Sequence, residues 1–375
     1  MRRRSFVQTS MTAIGGLLLS ACGGSDPSAA NTGSRGAHAD GEQWLMPEEG
    51  DPHARTWMAF GAAERIWGAE LVPEVQRNLA TIAATIARFE PVSMLVRPEE
   101  MELARRLTAG ANVELIPAAI DDLWMRDTGP VFVRGANGRA GVDFNFNGWG
   151  DKQRHRDDAE VARIVTERAG VERLRTDLVL EGGGIEVDGE GTALITESCV
   201  LNNNRNPGWK KHEVEDELAY LLGIEKVIWL PGIAGQDITD GHTDFYARFT
   251  APGVVVAGLD NDPDSFDYDV TRRHLDILHS ATDVHGRPLR VEVLEGPDTV
   301  RETFADDDFA AGYINFYVCN GAVIAPEFGD PRTDSAARDT LRRLFPGREI
   351  VQINIDGIAA GGGGIHCTTQ QEPAA

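Results

Sequence analysis

The strongest constraint on how this chain folds is a repeated order of elements. From residue 44 onward a β-hairpin is followed by a helix, then by a strand, then by the next hairpin, with helix starts near 157, 211, 267 and 333, roughly 54–66 residues apart. An earlier unit opens at WMAF (57–60), with a helix near 71 and an additional one at 98. That makes about five units, a count that suggests a radial, propeller-like α/β arrangement. An ordinary two-sheet α/β domain is the alternative.

Apolar periodicity predicts helices over about 71–88, 98–108, 157–169, 211–222, 267–281 and 333–345. Pro98 followed by acids marks a helix start. Strands are predicted in runs such as PVSMLV (91–96), TALIT (192–196), KVIWL (226–230), FYARF (245–249), YINFYV (313–318) and EIVQINI (349–355). No linker interrupts the stretch after residue 44, which reads as one domain covering 44–375.

The N-terminus reads as a targeting segment. Arg2-Arg3-Arg4-Ser5-Phe6 resembles a twin-arginine export signal, and residues 11–21 form an h-region too short to span a bilayer. Leu19-Ser20-Ala21-Cys22 resembles a lipobox with Cys22 as the lipidated residue, and 22–43 has the composition of a flexible tether. An ordinary cleaved signal is the alternative. The expected location is periplasmic or at the cell surface, with membrane contact only through the lipid. A net charge of −23 argues against nucleic acid and anionic membranes as partners and favours, weakly, a cationic substrate. Cys199, Cys319 and Cys367 are too widely spaced for a disulfide framework, and Cys199 and Cys319 sit in apolar runs that read as structural.

Chemistry-bearing residues fall at the unit junctions. WMRD (124–127) places Trp124 beside Asp127, LEGGG (180–184) carries Glu181, DGHTD (240–244) carries Asp240, His242 and Asp244, and GGGGIHCTTQQ (361–371) carries His366 and Cys367 before a short strand. A thiol needs help to ionise, which a neighbouring imidazole or bound cation supplies. Asp127 and Asp244 suit the paired N–H groups of a guanidinium. Glu181 suits the task of holding His242 in one tautomer. The set fits attack on a cationic, planar carbon, with ammonia leaving. In a strand, Asp240, His242 and Asp244 share one face. Two Asp and a His also suit a metal. DNDPDSFDYD (260–269) has Ser265 where a calcium loop needs Gly, and GGGG (361–364) lacks the Lys-Ser/Thr of a phosphate loop.

Taken together, DDLWMRDTGPVFV, FNFNGWG, LEGGGIEVDGEGTALITESCVLNNNRNP, DGHTD, GYINFYVCNGAVIAPEFGDP, LFPGREIV and GGGGIHCTTQQEP resemble the agmatine deiminase family, which includes the bacterial-type peptidyl-arginine deiminases. The resemblance covers roughly 44–373. It implies the five-bladed, pseudo-symmetric α/β propeller called pentein, with ββαβ units around a central site. It implies Cys367 as nucleophile, His242 with Glu181 as acid/base pair, Asp127 and Asp244 as guanidinium clamps, and no metal or organic cofactor. Trp149, in the Gly148-Trp149-Gly150 run, points to the agmatine branch; it suits packing on an alkyl chain, and Asp240 suits a terminal amine. Three positions depart from the family pattern: Phe245 for Asn, Gly312 for Ser and Gly364 for Asn. The implied reaction converts a small guanidino compound, agmatine first, to its ureido product plus ammonia. Deimination of arginine residues in peptides is the nearest alternative, a non-catalytic lipoprotein that captures cations a second, and amidino transfer a third.

Overall fold

The computed structural model describes residues 43–304 and 309–375. The export segment, Cys22 and the tether up to residue 42 lie outside the described residues. Within them, the strands form five separate sheets, the radial alternative of the two foreseen. Strands β1 (His53–Phe60), β2 (Val92–Val96) and β3 (Val113–Pro117) run parallel in the first blade. The second blade holds β4 (Val131–Gly135), β5 (Gly138–Asp143) and β6 (Glu172–Arg175), and the third β7 (Ile185–Val187), β8 (Thr192–Thr196) and β9 (Lys226–Leu230). The fourth holds β10 (Ala247–Ala251), β11 (Val254–Leu259) and β12 (Arg290–Glu295), and the fifth β13 (Tyr317–Cys319), β14 (Ala322–Glu327) and β15 (Glu349–Asn354). In blades two to five an antiparallel hairpin is followed by a helix and a parallel strand. The first blade obtains its antiparallel partner from the other end of the chain, where β16 (Thr369–Pro373) pairs with β1.

The central strand of each blade is buried on both faces and therefore reads as a continuous apolar run, as VSMLV and TALIT do. The outermost strands β9 and β15 are visible in sequence, whereas the outermost β6 is not. β6 is ERLR with only Leu174 buried, the charged pattern that blunts a sheet edge. Helix Glu64–Ile86 contains a break at Gly68, where φ is 71°, so the regular part begins close to the position that periodicity predicted. Helix Pro331–Leu344 starts where Asp330 accepts from the backbone N–H groups of Arg332 and Thr333, with Pro331 at the first turn. One expected strand begins two residues later than predicted, at Ala247, and another is shorter, Tyr317–Cys319. Residues 243–245 form a single 3-10 turn, and 313–316 are irregular because Asn315 turns towards Cys367.

The apolar cores sit in the seams between neighbouring blades. Trp57, Leu95 and Ile116 of the first blade pack with Phe132 and Val165 of the second, and Leu194 and Leu230 of the third with Ala247 and Phe249 of the fourth. At the axis, apolar packing gives way to charge. Glu49, from the segment preceding β1, accepts from Arg126 Nη2 and Arg248 Nη2, each at 2.9 Å, and from the backbone N–H of Val318 at 2.8 Å. Arg248 also donates to Glu186 at 2.7 Å and to the Phe316 carbonyl at 2.8 Å, and both arginines are buried. Buried ions of this kind persist only when their hydrogen bonds are complete, and removing one partner typically costs about 3–5 kcal/mol.

Closure is carried by few residues: besides the β1–β16 ladder, Trp57 Nε1 donates to Glu372 at 2.9 Å and Arg139 to the same carboxylate at 2.8 Å. A chain ending at Thr368 leaves β1 without its antiparallel neighbour. Thermal unfolding followed by near-UV circular dichroism should show the midpoint lowered by about 10 °C or more, or the cooperative transition lost.

Candidate functional site

Cys367 lies in a one-turn 3-10 helix (His366–Thr368) immediately before β16, so the strand that closes the ring also delivers the thiol to its centre. Its N–H donates to Asn315 Oδ1 and its Sγ receives the Asn315 amide, both at 3.3 Å. Asp244 Oδ2 stands 3.5 Å from the sulfur. Burial, then the charges of Asp244 and Asp127, hold the thiol well above its usual pKa.

Glu181 and His242 come from consecutive blade junctions and meet at 3.1 Å through His242 Nε2 and Glu181 Oε2. Burial opposes charge on both. It is overridden at Glu181 by Arg205 and His242, which bring the carboxyl down to about 2, and at His242 by Asp127, Cys199 and Glu181, which hold the imidazole well above its usual pKa. Arg205 Nε donates to both Glu181 oxygens, at 2.8 and 3.0 Å. Asp127 Oδ1 is 3.8 Å from His242 Nδ1 and accepts from Gly183 N–H at 3.1 Å, while its Oδ2 accepts from Trp149 Nε1 at 3.0 Å. Burial raises the Asp127 carboxyl to about 6. The glycine run is needed for this approach: a Cβ on Gly183 would lie 2.6 Å from His242 Nδ1.

Cys367, His242 and Asp127 line a cavity of about 80 Å³ together with Trp124, Trp149, Trp67, Asp122, Asp237 and Phe245. Trp124 packs against Trp67 with ring centroids 5.7 Å apart, and Gly363 leaves room for it: a Cβ there would meet the indole at 2.2 Å. Trp149 sits in left-handed backbone, φ 56°, with its ring edge-on to Phe146. Asp244 presents a buried Oδ1 for which no hydrogen-bond partner is found among the described residues. A buried carboxylate oxygen left open beside a thiol is an acceptor waiting for a ligand N–H. A larger cavity, about 410 Å³, lies between the fourth and fifth blades, with Phe245 on both cavities; it contains neither Cys367 nor His242.

One expectation is corrected. Asp240 does not share a face with His242 and Asp244, because the segment is a loop and turn with Asp240 at φ 62°, and it does not line the cavity. Its carboxylate is consumed by Arg205 at 2.8 Å, Lys152 at 2.6 Å, Asn204 at 3.0 Å and the N–H of Gly235 at 2.8 Å. Cys199, read as a structural thiol, lies in a short helix with its Sγ 3.5 Å from Glu181 Oε2. The donors of Glu181, Cys199 and His242 lie within 4.8 Å of one another, but a cation there would compete with Arg205 for both Glu181 oxygens. Two of the departures from the family pattern are neighbours: a Cβ on Gly312 would make ordinary contact with the Phe245 ring at 3.5 Å. The third, Gly364, lies against Asn315, whose Oδ1 would be 2.4 Å from a Cβ there.

Sequence reasoning did not find Arg205, Asn315 or the cavity-lining Asp122 and Asp237. The isolated arginine in NNNRNP (202–207) was the one local signal. Asp127 and Cys367 line the cavity and can meet a planar cation there, whereas Asp244, whose Oδ2 is 3.5 Å from the sulfur, is not among the lining residues. The same two carboxylates suppress the thiolate until such a cation neutralises them. Removing one charge therefore lowers the thiol pKa. In Asp244→Asn, neutral iodoacetamide at pH 7 should alkylate Cys367 about 10-fold or more faster than in the unaltered chain, measured by mass spectrometry of the modified peptide.

Comparisons with known proteins identify the family and the fold. A family model described as Porphyromonas-type peptidyl-arginine deiminase covers residues 45–373. An agmatine deiminase of Pseudomonas aeruginosa is 40% identical over 360 residues, covering 90% of this chain and 96% of its own length. That of Stutzerimonas stutzeri is 38% identical, with 88% and 96% covered. The structure of the Enterococcus faecalis agmatine deiminase superposes with a TM-score of 0.83 at 34% identity, covering 88% of this chain and 96% of that one. The chain belongs to the family of agmatine deiminases and Porphyromonas-type peptidyl-arginine deiminases, hydrolases of C–N bonds in amidines.

Proposed function

We propose that this chain deiminates agmatine to N-carbamoylputrescine and ammonia. The observation that carries the reading is the composition of the cavity. Cys367, His242 and Asp127 line it with Asp237, whose Oδ1 accepts from the Thr239 backbone and hydroxyl at 2.6 Å, and with Asp122, whose carboxylate is engaged by Trp67, Trp124 and Gln153, while no lysine or arginine appears among the described lining residues. A molecule with a guanidinium at one end and an ammonium at the other suits such a lining. The names of the 38–44% identical relatives support the same substrate.

The reaction follows from the geometry. The guanidinium pairs with Asp127 and the open Asp244 Oδ1, and Cys367 gives its proton to solvent as those charges are neutralised. The thiolate sulfur bonds to the guanidinium carbon. His242, protonated at rest and oriented by Glu181, gives its proton to the departing amino group, and the C–N bond breaks to release ammonia. A thiouronium remains. Water, deprotonated by His242, adds to the same carbon; the C–S bond then breaks, the electron pair returns to sulfur, and the thiolate takes the proton of the new hydroxyl. The product is the urea, and each cycle consumes one water.

The test is ammonia release by residues 43–375 with agmatine, free arginine and a blocked arginyl peptide offered separately. Turnover of agmatine is expected, with kcat/KM falling below about pH 6 as Asp127 protonates and at least about 10³-fold lower activity in Cys367→Ala. Turnover of the peptide alone would move the function to protein modification.

We further propose that the protein is exported and anchored by a lipid at Cys22, supported by the twin-arginine pattern and the Leu19-Ser20-Ala21-Cys22 lipobox. Labelled fatty acid should be incorporated in vivo into the unaltered chain and not into Cys22→Ser; equal labelling would reject the anchor.

A further inference from the structure

His366 is adjacent in sequence to the nucleophile, yet its ring does not enter the cavity described above. It runs between two carboxylates: Nδ1 is 2.8 Å from Asp244 Oδ2, and Nε2 is 2.8 Å from Glu49 Oε2. The ring is buried, as are both partners. Ionised carboxylates only accept hydrogen bonds, so satisfying both contacts requires a ring that donates from both nitrogens. Behind it, Glu49 is fixed by Arg126, Arg248 and the Val318 N–H, and those cations, with His366, override burial to keep its carboxyl well below the usual range. A continuous chain therefore runs from the axial charges, through Glu49 and His366, to Asp244 and Cys367.

The consequence lies in which Asp244 oxygen is offered to a ligand. Oδ2 is engaged by His366 and lies beside the Cys367 sulfur, whereas Oδ1 is buried and open. Without His366 the carboxylate has no side-chain N–H donor of comparable geometry among the described residues, since the Asn315 amide donates to the Asp244 backbone carbonyl at 3.4 Å and to the sulfur at 3.3 Å. We propose that His366 and Glu49 are positioning residues of the reaction: the imidazole, braced by Glu49, locks the Asp244 carboxylate so that its free oxygen meets the guanidinium. Neither residue touches the substrate. Glu49 belongs to the segment before the first strand, so the geometry of the site depends on chain that precedes the propeller proper. The proposal rests on the deiminase reading, but its test does not require turnover.

The experiment compares labelling of Cys367 by 2-chloroacetamidine, a cationic amidine, with labelling by neutral 2-chloroacetamide at the same pH. The ratio of the two rates reports the cation clamp and cancels changes in intrinsic thiol reactivity. The unaltered chain should favour the amidine. His366→Asn should reduce the ratio about 10-fold or more, the loss of a charge-assisted hydrogen bond. Glu49→Gln should reduce it in the same direction, and the double variant should be no worse than His366→Asn alone because both act through one chain. Where agmatine is turned over, KM should rise more than kcat falls. A ratio within two-fold of the unaltered chain in His366→Asn would overturn the proposal, as would effects of the two variants that simply add. If His366→Asn does not fold by circular dichroism, Glu49→Gln and His366→Gln decide the matter by the same ratio. Absence of agmatine turnover with the ratio intact would reject the substrate and leave the positioning role standing.

Discussion

The pairing of β16 with β1 is the interaction on which the rest of the structure depends. Four blades obtain their antiparallel hairpin from adjacent chain, and the first obtains it from strands more than three hundred residues apart. That one ladder converts a row of repeats into a ring. It also carries Cys367 to the axis, because that thiol stands two residues before the closing strand. Closure and the placement of the thiol are thus linked through a single segment, and the backbone that completes the fold cannot be loosened without moving the thiol.

A ring built this way places its apolar packing in the seams and leaves the centre to polar groups. Several junctions face the axis, so side chains from several blades converge in a buried space. The molecule resolves the resulting charge problem by pairing. Glu49 takes donors from Arg126, Arg248, His366 and Val318, and Glu181 takes both Arg205 contacts and His242. Asp244 is the exception, with one oxygen bound and one open. Burial is what makes that open acceptor strong. The same burial keeps Cys367 neutral until a cation arrives, so a single environment governs both recognition of the guanidinium and activation of the thiol.

Sequence patterns made much of this legible, for identifiable reasons. Central strands were visible because burial on both faces demands apolar runs, and the helices because one apolar face repeats with the helical period. Edge strands such as β6 were missed because exposure permits charge, and β7 because three residues carry too little pattern. Cys367, His242, Glu181, Asp127 and Asp244 stood out since each lies in a short cluster at a unit junction. Asp240 was misjudged because alternation was taken for a strand, whereas a left-handed residue turns its carboxylate towards Arg205 and Lys152.

The sequence by itself determined the repeat, the order of elements within it and the chemical types available at each junction, because these depend on local propensity and on periodicity. Only the tertiary structure decided which of those groups meet. Glu49 and His366 lie 317 residues apart, and no local pattern announces that one braces the other. Nor does sequence reveal that Phe245 lies beside Gly312, or that Asp122 and Asp237 line the same cavity as Cys367. Such contacts follow from ring closure, which brings distant junctions to one axis, and the energy of closure is spread over ladders and seams that no single segment encodes.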